Sequence, residues 1–241
     1  MMTDSDIVRA WESGEGRGPA EQALALLTCG YPELSHAEMA ELPIGERDAL
    51  LLRLREQLLG SALRGYVECP ICAEKLVFNL QCSQLRVGTP APSGPLEFRC
   101  RDFVVRYRLP DNNDLVAAAE QLEVAAAKQE LLARCLLSAT RGAERVPVHA
   151  LPVEVIAALS AEMAEQDPQG DLGLALRCAA CTHSWEARFD ISVFLWSEFG
   201  ALSRRVFDEV AALSRAFGWS ESEILAMSAT RRRQYIQRVG L

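Results

Sequence analysis

Residues 66–80 read YVECPICAEKLVFNL, a Cys-x-x-Cys pair between two runs in which apolar and polar residues alternate. Alternation with a period of two is typical of a strand with one buried face, so the pair lies at the turn of a predicted β-hairpin. A second segment, LGLALRCAACTHSWEARF over residues 172–189, has the same plan of strand, Cys-x-x-Cys and strand. The two segments share little sequence, so they indicate a repeated structural design and not a demonstrated duplication.

The two pairs supply four thiols, which can surround one tetrahedral Zn²⁺ in the closed coordination of a structural site. The predicted zinc ligands are Cys69, Cys72, Cys178 and Cys181. Cys178 follows Cys72 by 106 positions, so the intervening chain must return the second pair to the first. His183 could replace one thiolate, donate a hydrogen bond to a ligand, or simply lie on the turn.

Two other interpretations of the Cys-x-x-Cys pairs stay open: redox-active pairs, or reduced cysteines with a packing role. A thioredoxin-like pair belongs at the start of a helix within a βαβ unit, and neither segment predicts that context. The remaining cysteines stand alone in apolar or strand-like surroundings, and we expect them in the core. These single cysteines are Cys29, Cys82, Cys100 and Cys135.

The composition of the 241 residues is that of an ordinary folded protein, with 49% hydrophobic and 24% charged residues. The formal charge of −8, from 33 acids and 25 bases, gives no general attraction to phosphate backbones, so nucleic acid is an unlikely partner. The start of the chain is acidic, unlike a signal peptide, and the apolar runs are shorter than the ~20 residues of a membrane helix. We therefore expect a cytoplasmic protein with no membrane contact, in which the eight cysteines stay reduced.

The predicted fold is α+β: a small antiparallel β unit with a split zinc-ribbon-like four-cysteine site, flanked and interrupted by α-helices. Residues 1–18 are polar and glycine-rich, and are expected to be a flexible lead-in. The other predicted segments are an N-terminal helical segment over residues 19–65, the split zinc-knuckle β unit over residues 66–110 and 167–191, a helical insertion over residues 111–166 and a C-terminal helical segment over residues 192–241. In the last segment, apolar residues recur every three or four positions from Ile191 to Phe217 and predict one long helix.

Enzyme signatures are missing from the sequence. It contains no P-loop, HExxH motif or GxSxG motif, and its three histidines leave few candidates for catalysis. Asp111 and Asp114 lack the glycine and distal glutamate of a calcium loop, so we interpret them as helix caps. Together with a closed metal site, these observations predict a protein that is not an enzyme and has no small-molecule substrate.

Short segments spread over most of the chain resemble one family of proteins. They are Leu42–Leu51, Cys69–Cys72, Tyr107–Pro110 before a helix that begins with Asp, and Gly218–Glu221 followed by Arg231–Tyr235. These segments resemble baseplate or tail-assembly proteins of contractile-tail bacteriophages and of the related phage-like contractile injection systems. The resemblance implies a non-enzymatic part or assembly factor that docks on other baseplate, hub or tail proteins, and it adds the phage-like particle as an alternative location.

The C-terminal helices are the predicted partner-binding surface, because arginine, tyrosine and tryptophan are favoured at interfaces and an acidic protein surface would suit the arginines. The predicted contact residues are Trp219, Arg231, Arg232, Arg233 and Tyr235. The N-terminal helical residues Leu50–Leu59 are the second candidate surface.

Two rival functions remain at this point. The first is a zinc-containing nucleic-acid-binding regulator that presents basic residues to phosphates, namely Arg86, Arg99, Arg101, Arg106 and Arg108. The second rival is a thiol oxidoreductase that uses the Cys-x-x-Cys pairs. Metal content and thiol reactivity distinguish the second rival from a zinc-stabilised scaffold.

Overall fold

The computed structural model describes residues 2–88 and 90–239. The chain divides into two compact units: the first joins the N-terminal segment up to Glu33 to the C-terminal segment from Ser192, and the second is Leu34–Ile191. Helices and small antiparallel sheets are mixed along the chain, which confirms the predicted α+β class. In the described residues, no helix combines the length and the apolar character needed to cross a bilayer.

The elements of the described residues are numbered in chain order. The helices are α1 Asp4–Gly14, α2 Pro19–Gly30, α3 His36–Ala40, α4 Ile44–Leu59, α5 Asn112–Ala119, α6 Val124–Cys135, α7 Val153–Gln166, α8 Ile191–Phe217, α9 Glu221–Leu225 and α10 Ala229–Val239. The strands are β1 Ala62–Glu68, β2 Lys75–Gln81, β3 Leu96–Cys100, β4 Phe103–Tyr107, β5 Leu136–Arg141, β6 Glu144–Arg145, β7 Leu172–Arg177 and β8 Ser184–Phe189.

Helix α1 corrects the prediction that residues 1–18 are a flexible lead-in. Thr3 begins the helix with a capping box: its hydroxyl accepts a hydrogen bond from the Asp6 N–H, and the Asp6 carboxylate accepts one from the Thr3 N–H. Three apolar residues of the helix, Ile7, Val8 and Ala10, are buried. The glycines that follow the helix obscured this short amphipathic pattern in the sequence.

A pair of stacked tryptophans packs α1 against α8 within the first unit. The ring centroids of Trp11 and Trp196 are 4.7 Å apart, with an angle of 13° between the ring planes. Each ring lies over a glycine of the other helix. A Cβ atom on Gly14 would come within 2.5 Å of Trp196, and one on Gly200 within 2.7 Å of Trp11, so the stack requires both glycines.

Helix α8 has the bounds and the buried stripe predicted from its apolar periodicity. Leu195, Phe199, Val206 and Leu213 are fully buried, and their spacing returns them to one face of the helix. Burying a large apolar side chain stabilises a fold by about 2 kcal/mol. Helix α8 therefore carries much of the core of the first unit.

Strands β3, β4, β5 and β6 form an antiparallel meander in the second unit. Val105 of β4 and the α7 residues Val155 and Leu159 are fully buried in one hydrophobic cluster. Helix α7 thus covers the central part of this sheet and closes its core.

The predicted helical insertion over residues 111–166 contains β5 and β6 in addition to helices. Strand β5 pairs with β4, with Ala139 opposite Val105, and Gly142, at a φ of 60°, turns the chain into β6. The insertion was expected to be helical throughout, but α6 ends at Cys135 and the chain continues directly into β5. Pairing with an adjacent strand overrides local helix propensity at this point.

The two Cys-x-x-Cys segments form the predicted hairpins, β1–β2 and β7–β8. Each hairpin is a two-stranded sheet of its own, separate from the four-stranded meander. The expectation of one small β unit over residues 66–110 and 167–191 is corrected accordingly to three sheets. In both hairpins, exposed side chains alternate with buried or partly buried ones along each strand, as expected when one face is covered.

Candidate metal centre

The first Cys-x-x-Cys turn, which we call the first knuckle, joins β1 to β2. The Cys69 N–H donates to the carbonyl oxygen of Glu74 at 2.9 Å, and the Ala73 N–H donates to the carbonyl oxygen of Cys69 at 2.9 Å. Ala73 has a φ of 58°, a left-handed conformation that L-residues other than glycine seldom adopt. The turn therefore holds Cys69 and Cys72 on one side of a closed loop.

The second knuckle repeats this backbone geometry with a different sequence. The Cys178 N–H donates to the carbonyl oxygen of His183 at 2.8 Å, and the Thr182 N–H donates to that of Cys178 at 3.0 Å. Thr182 has a φ of 60°. Two turns of unlike sequence thus have the same hydrogen-bond pattern. In each turn, the residue after the second cysteine has a left-handed backbone conformation.

The four knuckle cysteines converge. All four Sγ atoms lie within 4.8 Å of one another, and the Sγ–Sγ distance is 3.6 Å for Cys69 to Cys181 and 3.6 Å for Cys72 to Cys178. A tetrahedral ion with Zn–S bonds of ~2.3 Å requires Sγ–Sγ distances of ~3.8 Å, whereas a disulfide needs ~2.05 Å. The thiol spacing therefore fits four ligands around one zinc ion and does not fit disulfides.

The thiols have different environments. Cys69 and Cys178 are buried, whereas Cys72 is exposed. Desolvation opposes ionisation of Cys69, but backbone N–H groups of Cys72 and Ile71 donate to its sulfur and lower its pKa to about 7. A backbone hydrogen bond at Glu74 lowers the pKa of Cys72, but contact with the thiols of Cys181 and Cys178 raises it to about 12. Neighbouring thiols cannot all ionise together without a cation to offset their charge.

The donor set fits a divalent ion that prefers sulfur. Four cysteines and no histidine or carboxylate make up the cluster found in the described residues, and all-cysteine tetrahedral sites are typical of structural zinc. Zinc bound there would cross-link the two hairpins and would stabilise all four ligands as thiolates. The His183 ring stacks on Trp185 at a centroid distance of 5.8 Å, and is not a member of the cluster.

Two buried side chains of the turn before β7 explain how distant knuckles meet. Asp167 Oδ2 accepts a hydrogen bond from the Gly45 N–H at the start of α4, at 2.8 Å. Gln169 accepts from the Val87 N–H at 2.8 Å and donates to the Leu85 carbonyl at 3.1 Å. Because Leu85 and Val87 follow β2 closely, these bonds hold the base of the second hairpin beside the end of the first.

Comparison with known proteins identifies the family. The family model of the T4 bacteriophage base plate protein matches residues 26–196. The chain belongs to this family. No curated protein and no solved structure matches the chain significantly.

The base plate family match confirms the resemblance predicted from the sequence. It includes all four knuckle cysteines and the whole second unit, Leu34–Ile191. The predicted partner-binding residues from Trp219 onward lie C-terminal to the matched segment, within the first unit.

Two of the predicted partner-binding residues of this base plate family member lie together. The ring centroids of Trp219 and Tyr235 are 4.9 Å apart, in an edge-on arrangement, and both side chains are half-buried. Arg231 and Arg233 are exposed on α10. These four residues belong to the first unit, and their side chains are at least partly accessible to a partner protein.

Arg232 is the exception among the predicted partner-binding residues. Its side chain is 1% exposed and pairs with Glu209, at an Nε–Oε2 distance of 2.8 Å, and with Asp4. Its Nη1 also donates to the Met227 carbonyl at 2.7 Å. The structure therefore corrects the prediction for Arg232: the residue is an internal anchor of α10 and is not available for contact.

The second candidate surface, Leu50–Leu59 on α4, is largely a core face. Leu51, Leu52 and Leu54 are buried, so their side chains stabilise the second unit internally. The apolar periodicity of this helix indicated burial and did not distinguish a core face from a docking face.

An ionic network beside β4 was missed from the sequence. Asp111 caps α5 as predicted, accepting from the Asp114 N–H at 3.1 Å. The fully buried Asp114 carboxylate in addition accepts hydrogen bonds from Arg108 at 2.9 Å and Arg134 at 2.8 Å. Burial opposes ionisation of Asp114, but the Arg108 guanidinium, the Asp111 backbone N–H and Arg134 lower its pKa to about 2. The network joins α5 and α6 to the end of β4.

The single cysteines have no common arrangement in the described residues. Cys82 and Cys135 are fully buried, as predicted for core cysteines, whereas Cys29 and Cys100 are only partly buried. The Cys29 thiol donates to the Asp6 carbonyl at 3.1 Å, and the Cys135 sulfur lies 3.8 Å from the Asp114 carboxylate. Burial raises the pKa of Cys29 to about 11 and that of Cys135 to about 12, so neither is a reactive thiolate at neutral pH.

The features expected of the two rival functions are weakly developed. Three of the five arginines expected to contact phosphates make ion pairs with carboxylates: Arg86 with Glu56, Arg99 with Glu97 and Arg108 with Asp114. Each Cys-x-x-Cys pair leads into a strand and not into the helix of a thioredoxin-like site. Neither nucleic-acid binding nor thiol exchange gains support from these arrangements.

Proposed function

We propose that this base plate family member is a non-enzymatic structural or assembly component of a contractile phage-tail-like baseplate. The observation that carries the proposal is the family match over residues 26–196, which contains both knuckles. Its function would lie in the surfaces that the two units present to other baseplate, hub or tail proteins, in the finished particle or during its assembly. No small-molecule substrate is required.

The zinc staple is the second part of the proposal. Zn²⁺ held by Cys69, Cys72, Cys178 and Cys181 would close a loop of more than a hundred residues in the second unit. A two-stranded hairpin is marginally stable alone, so metal binding would supply folding free energy to both hairpins. Four converging sulfur atoms at the spacing of zinc ligands support this part.

The third part of the proposal is docking through the C-terminal segment of the first unit. Trp219, Tyr235 and Arg231 remain the proposed contact residues, because the Arg231 guanidinium lies over the Tyr235 ring, whereas that of Arg233 bonds to the Ala229 carbonyl of its own helix. Their accessibility and the aromatic contact between Trp219 and Tyr235 support this assignment, because interfaces are enriched in such residues.

Affinity purification of the tagged full chain from cells that produce its particle tests the function. Mass spectrometry should identify tail and baseplate proteins, enriched over a control in which an unrelated tagged protein is expressed. Recovery of ribosomal or metabolic proteins alone would contradict the proposed function.

Metal analysis of the same preparation should give one zinc per chain, and a metal-free preparation that is fully folded would contradict the staple.

A further inference from the structure

Three aromatic rings of the first unit form one partly exposed cluster. The centroids of Phe217 and Trp219 are 4.5 Å apart with nearly parallel planes, and Tyr235 meets both rings edge-on at 5.6 Å and 4.9 Å. Phe217 is 39% exposed, and Trp219 and Tyr235 are half-buried. An aromatic cluster with this exposure offers a ready-made platform for an apolar side chain.

Two arginines extend the ring cluster. Arg231, Tyr235 and Arg238 are spaced by four and three positions on α10, so they share one side of the helix. The guanidinium carbons of Arg231 and Arg238 lie 5.8 Å and 5.9 Å from the Tyr235 ring centroid. In the part of the chain that the structure describes, neither guanidinium pairs with a carboxylate. Phe217, Trp219, Arg231, Tyr235 and Arg238 are named the aromatic–arginine surface below.

The arginine triplet of α10 is divided among three environments. Arg232 is buried and bound to Glu209 and Asp4, which fixes the rotation of α10 about its own axis. Arg231 lies on the side of the helix that carries Tyr235, because the two residues are four positions apart. Arg233, two residues further along, lies about 200° around the helix from Arg231, and its Nε donates to the Ala229 carbonyl at 3.3 Å.

We infer that the aromatic–arginine surface binds an acidic segment of a partner protein. Carboxylates of the segment pair with Arg231 and Arg238, and an apolar side chain beside them packs on the rings. Charge complementarity carries the assignment: within residues 2–88 and 90–239 no carboxylate pairs with these guanidinium groups, and arginine stacked on a ring keeps its N–H edge free for a carboxylate. The net charge of −8 disfavours a long phosphate polymer as the occupant.

This inference rests on the proposed docking function and makes it specific. It assigns contact to Arg231 and Arg238, excludes Arg232 and Arg233 from contact, and adds Phe217 to the interface. The sequence of the arginine triplet alone does not show which arginine is available for contact, because that depends on which side of α10 faces the rest of the first unit.

Fluorescence anisotropy with the zinc-loaded full chain tests the inference. The probe is a labelled synthetic peptide of repeated Asp-Glu-Leu-Gly, and the matched probe replaces the acids by Asn and Gln. The acidic peptide should bind and the neutral one should not. Arg231→Gln and Arg238→Gln should each weaken binding about tenfold, the effect of losing one charge-assisted hydrogen bond. Arg233→Gln, the matched control on the same helix, should change affinity by less than about twofold.

Three results would overturn the inference: no binding of the acidic peptide, equal losses for Arg233→Gln and Arg231→Gln, or tighter binding of single-stranded DNA of equal charge. Failure here is distinguishable from failure of the proposed function. If the Arg231→Gln chain still recovers tail proteins as the unaltered chain does, the surface is wrong and the function stands. If the unaltered chain recovers none, the function itself fails.

Discussion

The two units of the chain join sequence-distant segments by different chemistry. In the first unit, Arg232 contacts Asp4 from 228 positions away, and both ionic partners of its guanidinium are carboxylate side chains of the protein. In the second unit, Cys69 and Cys181 meet across 112 positions as thiols. Two carboxylates balance the charge of the Arg232 guanidinium within the protein, whereas the four thiols of the proposed zinc site would need a bound cation to be stabilised as thiolates. Stability of the second unit should therefore depend on metal, and stability of the first should not.

The largest effect predicted is the loss of the metal cross-link from the second unit. Cys69→Ser removes a buried member of the proposed ligand set, and structural zinc contributes on the order of 10 kcal/mol of binding free energy to folding. We expect the variant to lose its zinc and its melting temperature to fall by about 10 °C or more. Metal analysis and differential scanning fluorimetry measure both.

The control for this experiment is Cys100→Ser, which alters a partly buried cysteine outside the cluster. It should keep one zinc per chain and melt close to the unaltered protein. A chelator added to the unaltered protein should reproduce the Cys69→Ser melt. An unchanged melt for both Cys69→Ser and Cys178→Ser would show that the knuckles are not joined through metal.

The second prediction concerns the anchor of the first unit. Arg232→Ala leaves the carboxylates of Glu209 and Asp4 near each other, with only the more distant and exposed Arg205, 3.8 Å from Glu209, as a counter-charge. Removing one partner of a buried ion pair typically costs about 3–5 kcal/mol, and denaturant unfolding should show a loss of this size. Zinc content should stay at its normal value, because the four thiols belong to the other unit.

The neighbouring residue supplies the control for the Arg232 experiment. Arg233 is exposed, so Arg233→Ala should alter the unfolding free energy by less than about 0.5 kcal/mol. Equal losses for the two variants would contradict the difference in burial. Loss of zinc from Arg232→Ala would contradict the contrast between the units.

The third prediction tests the ionic link of the second unit that needs no metal. The pKa of Asp114 is lowered in the folded chain to about 2, so the ionised carboxylate stabilises the fold at pH values above its unfolded pKa of ~4. This contribution, about 2 kcal/mol, should be lost as the pH falls from about 4 towards 2. Measured against Asp114→Asn, the stability advantage of the unaltered protein should shrink over this interval.

Acid also releases zinc from thiolates, but it does so in both proteins and cancels in the Asp114 comparison. A difference between the proteins that stays constant from neutral to acid pH would show that the ionisation of Asp114 does not stabilise the second unit. Asn113→Ala is a suitable control, because Asn113 lies beside Asp114 in α5 and its side chain makes a long hydrogen bond, to the Ala40 carbonyl at 3.4 Å.

The four-cysteine cluster was predictable because its signal is local. The thiols of each Cys-x-x-Cys pair are three residues apart, and alternating flanks such as Leu76 to Leu80 specify the hairpins that present them. The anchoring of the hairpins by Asp167 and Gln169 was not predictable, because their hydrogen-bond partners are remote backbone groups. The same limit applies to Arg232, whose burial depends on carboxylates that lie in other helices.

The prediction of secondary structure was wrong where pairing with a distant strand determines whether a segment is a helix or a strand. Strand β5 follows an alanine-rich helix without a break, and only its partner β4 distinguishes it from a continuation of α6. Helix α1 is a different case, because its Thr3–Asp6 capping signal was present in the sequence and was outweighed by three nearby glycines.

The smallest predicted effect sharpens the comparison at single backbone positions. In the described part of the first unit, the residues with a positive φ, Gly16 and Gly218, are both glycines. In the knuckles of the second unit, residues with a side chain, Ala73 and Thr182, have a positive φ. The left-handed conformation costs a residue with a Cβ roughly 1–2 kcal/mol, and glycine offsets part of that gain through its greater freedom in the unfolded chain.

Ala73→Gly and Thr182→Gly should therefore each raise the unfolding free energy of the zinc-loaded protein by about 0.5 kcal/mol. Ala175→Gly, at an exposed position in the middle of β7, should instead lower it, because glycine weakens a strand without relieving strain. Denaturant unfolding of the three variants measures the difference. If all three lose stability alike, the knuckle backbone is not strained. If only the knuckle variants gain stability, the left-handed backbone at Ala73 and Thr182 destabilises the second unit, and the proposed metal cross-link offsets that strain.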